Sequence, residues 1–156
     1  MTVLSPTKLI ACNRQQVWSV VAQLQQAQQW IAGLHKTEYL RGEASGLGGI
    51  WRFNCEWGSA SHVFDFEITE WIKGHRLGVR PSRQTAVVRG VQYFQFVLDL
   101  KEASPQSTVV EIECNYEPLS KLTRLKNLTF LRRQYLDFID KTLDQLARVA
   151  LAAPRA

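Results

Sequence analysis

GIWRFNCEW at residues 49–57 and HVFDFEITEWI at residues 62–72 alternate in character with a period of two. In the first, Trp51, Phe53, Cys55 and Trp57 share one parity and Arg52, Asn54 and Glu56 the other. In the second, His62, Phe64, Phe66 and Ile68 oppose Asp65, Glu67 and Thr69. Successive side chains of an extended chain point to opposite faces, so each stretch reads as a strand with one aromatic and one polar face. The link between them, Trp57-Gly58-Ser59-Ala60, has room for a hairpin and no more, which makes the pair antiparallel. The same period marks 36–42, 75–80, 87–100 and 107–117. In 87–100 the reading turns Phe94, Phe96 and Leu98 inward against Tyr93, Gln95 and Asp99. In 107–117 it turns Val110, Ile112, Cys114 and Tyr116 inward. With residues 7–12 added, the expectation is a seven-stranded antiparallel meander.

The flanks are helical. Asn13 with Gln16 three positions on forms a capping pair, and Val17, Trp18, Val20, Val21 and Leu24 fall on one stripe of a helix over 14–24. A second short helix over 25–32 ends at Gly33. After Pro118 the period returns to 3.6, with Ser120 as N-cap and a stripe including Leu119, Leu122, Leu125, Leu128, Leu131, Tyr135, Ile139, Leu143 and Leu146. This predicts one helix from residue 120 to about 152, long enough to cross the sheet. The fold class is α+β: a seven-stranded antiparallel sheet wrapped around a long C-terminal helix, with two short helices after the first strand.

Composition agrees with one ordered domain over residues 1–156, because 46% hydrophobic and 21% charged residues exclude disordered and fibrous classes. Cys12, Cys55 and Cys114 are odd in number and unpaired in spacing, which suits reduced thiols in the cytoplasm and matches no zinc or redox motif. No signal peptide and no membrane-length apolar run is evident. His35, His62 and His75 lack metal-ligand spacing. Gly46-Leu47-Gly48-Gly49 lies between strands, where a turn needing positive φ explains it better than a phosphate loop. No cofactor, metal or nucleic-acid partner is implied. The net charge of +5 is uneven. Residues 73–90 carry five cations and no acid, and 119–135 carry Lys121, Arg124, Lys126, Arg132 and Arg133, again with no acid. Such polarity suits solubility, or an anionic partner.

The order of strand, two short helices, meander and long helix is similar to the helix-grip fold of the START-like (SRPBCC) superfamily, and within it to the bacterial polyketide cyclase/dehydrase-like members. The resemblance spans the whole chain. It rests on Gln16-Val17-Trp18, Trp30, Gly46-Leu47-Gly48-Gly49 before Trp51-Arg52, Glu67-Ile68-Thr69-Glu70-Trp71 and Gly74-His75-Arg76-Leu77. It implies a cavity between sheet and helix that holds a lipid-like or polyketide-like molecule, with a minority of members acting as cyclases, aromatases or dehydratases.

The residues expected around a ligand are Trp51, Phe53, Cys55, Phe64, Phe66, Phe94, Phe96, Cys114 and Tyr116, roofed by Leu125, Leu128 and Leu131. The same aromatics can instead fill the space as core. Trp51 and Trp57 carry indole N–H groups that a ligand would satisfy. His62 and Tyr116 are the candidate proton relays for an enzyme, while Cys55 and Cys114 suit a small apolar role better than a nucleophilic one. Arg52 falls on the outward parity, away from the position a cyclase arginine would take. The basic stretch 119–135 is a surface for an anionic membrane or a protein partner. The expected function is binding and sequestration or transfer of a hydrophobic or amphipathic small molecule. A cyclase/dehydratase-type enzyme and a protein-interaction module are the alternatives.

Overall fold

The structure is a computed structural model that describes residues 1–57 and 60–153, the side chains of Trp57 and Ala60 excepted. Its elements are β1 (Thr2–Leu4), β2 (Thr7–Ile10), α1 (Arg14–Val21), a 3-10 helix (Leu24–Gln29), β3 (Leu34–Arg41), β4 (Ile50–Trp57), β5 (Ala60–Ile72), β6 (Arg76–Pro81), β7 (Val87–Val88), β8 (Val91–Ser104), β9 (Ser107–Pro118), α2 (Lys121–Lys126), a π-helical turn (Asn127–Leu131) and α3 (Arg132–Ala152). The sheet order is β1-β9-β8-β6-β5-β4-β3, with β2 also on β9 and β7 also on β8. All these pairs are antiparallel. The meander and the C-terminal helix are those expected, but the described residues form nine strands rather than seven.

Two local causes account for the extra strands. The first strand begins earlier than residue 7 and is broken by Ser5-Pro6, where Pro6 has no N–H for the ladder and offers its carbonyl to Ile112 N. The span 87–100 is broken by Arg89-Gly90, both at positive φ (50° and 77°). That is the signature of a two-residue hairpin whose twist matches its strands. The glycine loop before β4 is equally local. A Cβ on Gly49 would stand 2.0 Å from Glu43 O, and the loop pairs through Gly48 N to Ile68 O and Ile68 N to Gly49 O.

The aromatic faces of β4 and β5 are buried as their alternation requires. The register sets Phe53 opposite Phe64 and Trp51 opposite Phe66. Phe64 and Phe66 stack at 5.3 Å, and Phe53 meets Phe66 edge-on at 5.3 Å. Strand β8 corrects the expectation for Phe94. A bulge between Tyr93 and Gln95 shifts the parity, so Tyr93 enters the core while Phe94 lies outside the core cluster. Phe96 and Leu98 remain inside it.

The C-terminal helix gives the largest correction. Leu125 and Leu128 roof nothing: they are 60% and 80% exposed, beside Leu122 at 62%. The cause is that α2 turns polar residues inward. Thr123 packs on Gly90, where a Cβ would approach Thr123 Oγ1 to 2.9 Å, and Asn127 is buried. Asn127 Oδ1 accepts a 2.5 Å hydrogen bond from the Tyr116 hydroxyl, and its amide reaches Thr2 Oγ1 at 3.4 Å. The wide turn at 127–131 then re-phases the helix. Leu131 and Tyr135 pack on the core, and Ile139, Leu143, Leu146 and Ala150 are buried in it. Each large apolar side chain so buried contributes roughly 1.5–3 kcal/mol. Gln16 in α1 clamps the far end, donating through Nε2 to Ala150 O at 2.6 Å.

Candidate functional site

Between the sheet and α3 lies an apolar cavity of about 110 Å³. Phe53 and Cys55 on β4, Phe66 on β5, Leu77 and Val79 on β6, Phe96 to Leu98 on β8 and Ile112 on β9 form its floor and walls. Leu24, Trp30 and Ile31 close one side, and Phe138 and Thr142 of α3 form the roof. Beside it is an open cleft of about 610 Å³, with a mixed lining that includes Gly33, Glu56, Arg89, Thr123, Lys126, Phe130, Gln134, Tyr135 and Lys141. Phe138 borders both spaces. Its ring stands where the apolar space meets the charged, mixed lining of the cleft.

Of the expected ligand residues, Phe53, Cys55, Phe66 and Phe96 line the inner cavity. Trp51, Phe64, Cys114 and Tyr116 are buried in the core and lie outside that lining. Trp51 needs no ligand for its indole N–H, which donates to Ala44 O at 3.1 Å. The Trp57 side chain lies outside the described residues. Phe94, Leu125 and Leu128 are excluded by the bulge and by the helix phase. Sequence reasoning assigned no cavity role to Trp30, Ile31, Phe138 or Thr142. Phe138 stands one position off the stripe read from the sequence, so periodicity alone had no signal for it.

Polar chemistry around the cavity is sparse. Trp30 is buried, and its indole N–H has no hydrogen-bond partner among the described residues. Thr142 Oγ1 accepts from Ala32 N at 3.1 Å, tying the helix to the segment after Trp30. The Cys55 thiol is pushed up to about 12 by loss of solvent, and burial does the same to Cys114. Both therefore remain protonated and poorly nucleophilic at neutral pH. Tyr93, Tyr116 and Tyr135 cluster beyond the cavity, with the Tyr93 hydroxyl donating to Tyr135 at 2.8 Å and the rings of Tyr116 and Tyr135 edge-on at 4.8 Å. Burial raises the pKa of Tyr116 to about 12. His62 pairs across the ladder with Cys55 and is half-buried; burial first, then the charge of Arg89, holds its pKa below the ordinary histidine value. It borders a separate surface hollow with Thr85, Val87 and Arg89, away from the apolar cavity. Arg52 points outward as its parity requires and forms a two-pronged pair with Asp65 at 2.8 and 3.1 Å. Among the described residues no group of three His, Cys, Asp or Glu is placed to hold a metal ion.

A grip of antiparallel sheet on a long helix, with a largely apolar cavity at their junction, defines the helix-grip fold. The chain belongs to the family described as polyketide cyclase / dehydrase and lipid transport, whose model matches residues 1–151. No curated protein sequence matches it. Among solved structures, a protein of Thermus thermophilus aligns with a TM-score of 0.79 at 13% identity, covering 99% of this chain and 100% of its own. The Zhui aromatase/cyclase from a Streptomyces species gives 0.71 at 13%, with 99% of each chain covered. Norcoclaurine synthase from Thalictrum flavum, in complex with dopamine and hydroxybenzaldehyde, gives 0.73 at 14%, covering 99% of this chain and 89% of its own. At these identities the likeness is one of fold.

Proposed function

We propose that this protein binds a hydrophobic or amphipathic small molecule, lipid-like or polyketide-like, between its sheet and C-terminal helix, and sequesters or transfers it. The observation that carries the reading is Phe138, whose ring lines both an apolar cavity and a larger cleft of mixed lining. The inner space alone is smaller than the roughly 150 Å³ apolar cavity known to stay dry and take up benzene. Joined to the cleft by rotation of Phe138, it enters the range of about 300–1,000 Å³ usual for ligand sites. The apolar part of a ligand would then rest on Phe53, Phe66 and Phe96 and its polar end in the cleft near Arg89, Lys126 and Lys141. The Trp30 ring forms part of the cavity wall, and its buried N–H has no hydrogen-bond partner among the described residues.

Binding is favoured over turnover because the two groups read from the sequence as proton relays do not border this cavity. The Tyr116 hydroxyl is committed to Asn127, and His62 faces its own hollow. Native mass spectrometry of freshly purified protein tests the reading: an adduct that departs on denaturation is expected. An apo mass, together with a melting temperature unmoved by a panel of fatty acids, isoprenoids and polyketides, would overturn it.

A further inference from the structure

The start of the C-terminal helix inverts the usual burial order. Leu119, Leu122, Leu125, Leu128 and Phe130 are exposed, while Asn127 is buried. Leu122, Leu125 and Leu128 follow at intervals of three, which makes them neighbours on a helix surface. Folded chains seldom leave so concentrated an apolar set in water without a use for it. The arrangement is also fixed in place. Ser120 caps α2 by accepting from Thr123 N at 3.0 Å, Leu119 N donates to Gly90 O at 2.8 Å, and Tyr116 holds Asn127 inward. The π-helical turn lets this outward leucine row coexist with the inward phase of α3, where a continuous α-helix would not.

The charges around the row choose its partner. Lys121, Arg124, Lys126, Arg132 and Arg133 are all exposed, and residues 119–135 contain no acid. Leucines and a phenylalanine flanked by lysine and arginine match an interface where acyl chains lie beneath anionic headgroups. The segment also borders the cleft, to which it contributes Thr123, Lys126 and Phe130. We propose that residues 119–133 dock on an anionic lipid bilayer, with the leucines inserted at the acyl boundary and the cations on the headgroups. Docking then brings the mouth of the cleft to the bilayer surface. The docking rests on the surface alone; that it feeds the cavity rests on the binding proposed above.

Co-sedimentation with vesicles tests this, using phosphatidylcholine alone and phosphatidylcholine with roughly one-third phosphatidylglycerol. The expected result is partitioning to the anionic vesicles stronger by on the order of tenfold or more at low salt, declining as salt is added. Leu122→Gln/Leu125→Gln/Leu128→Gln should weaken that partitioning by about tenfold or more with the melting temperature kept, since the leucines are exposed. Arg124→Glu/Arg132→Glu/Arg133→Glu should abolish the preference for anionic lipid. No partitioning, or partitioning indifferent to the leucine substitutions, overturns the proposal. So does a concentration-dependent dimer that the same substitutions dissolve, because the face would then be an interface between two copies. Uptake of a fluorescent fatty acid from solution, measured without vesicles, reads the cavity separately: its loss with docking intact counts against the binding reading alone.

Discussion

Phe138→Ala probes the boundary between cavity and cleft directly. Truncating a phenylalanine in a closed core costs about 3–5 kcal/mol, part of it for the void left behind. Phe138 is half-buried, with the cavity on one side and the open cleft on the other, so its removal joins two existing spaces instead of creating a sealed one. The expected loss is therefore smaller, about 1–2 kcal/mol. At roughly 2–4 °C per kcal/mol for a chain of this size, the melting temperature should fall by about 2–8 °C. Removing the ring should also relax the size limit on ligands. In titrations with phenol, 1-naphthol and a long-chain alkylphenol, the variant should gain affinity for the bulkier two by about tenfold, equivalent to about 1.4 kcal/mol. A loss of about 3 kcal/mol or more with an unchanged size profile would refute the reasoning, because Phe138 would then be an ordinary core residue.

Tyr116→Phe leaves the buried Asn127 carbonyl oxygen without its donor and should cost about 1–3 kcal/mol, read by chemical denaturation. Tyr93, Tyr116 and Tyr135 all have pKa values raised first by burial, so the folded state holds their protons more tightly than the unfolded chain. Their stabilisation is complete below the ordinary tyrosine pKa of about 10 and is lost as pH rises above it, for Tyr116 toward about 12. Denaturation midpoints should thus fall between roughly pH 9.5 and 11.5, and a flat profile there would contradict the burial of these hydroxyls. Cys55 and Cys114 should resist a thiol reagent at mildly alkaline pH in the native protein and react on unfolding; rapid native labelling of either would show an open interior. Arg52→Ala should leave ligand affinity unchanged, since its guanidinium is engaged with Asp65 on the outer face.

The parts of the fold legible in the sequence are those set by short-range period. Strands β4 and β5 alternate without interruption, so Phe53, Cys55, Phe64 and Phe66 could be turned inward from their spacing alone. The parity of β8 could not be followed past a bulge, because one extra residue reverses every side chain beyond it, and Tyr93 and Phe94 exchanged places. The leucine row 119–128 reads as a core stripe in sequence, and its spacing is indeed helical. What periodicity does not say is which face the neighbours will cover. The answer depended on Tyr116 reaching Asn127 and on Gly90 admitting Thr123, contacts with strands that the helix's own pattern does not encode. For the same reason the cavity roof fell to Phe138 and Thr142, which the re-phased helix brings over the sheet.

The central claim is that a hydrophobic ligand passes Phe138 into the space beneath α3, and the Trp30 indole N–H is its most direct reporter. Titration of ¹⁵N-labelled protein with 1-naphthol should shift the Trp30 indole resonance saturably, together with the amides of Ile31, Cys55, Leu77 and Phe138. Saturable shifts confined to surface residues, or no saturable shift at all, would contradict the account.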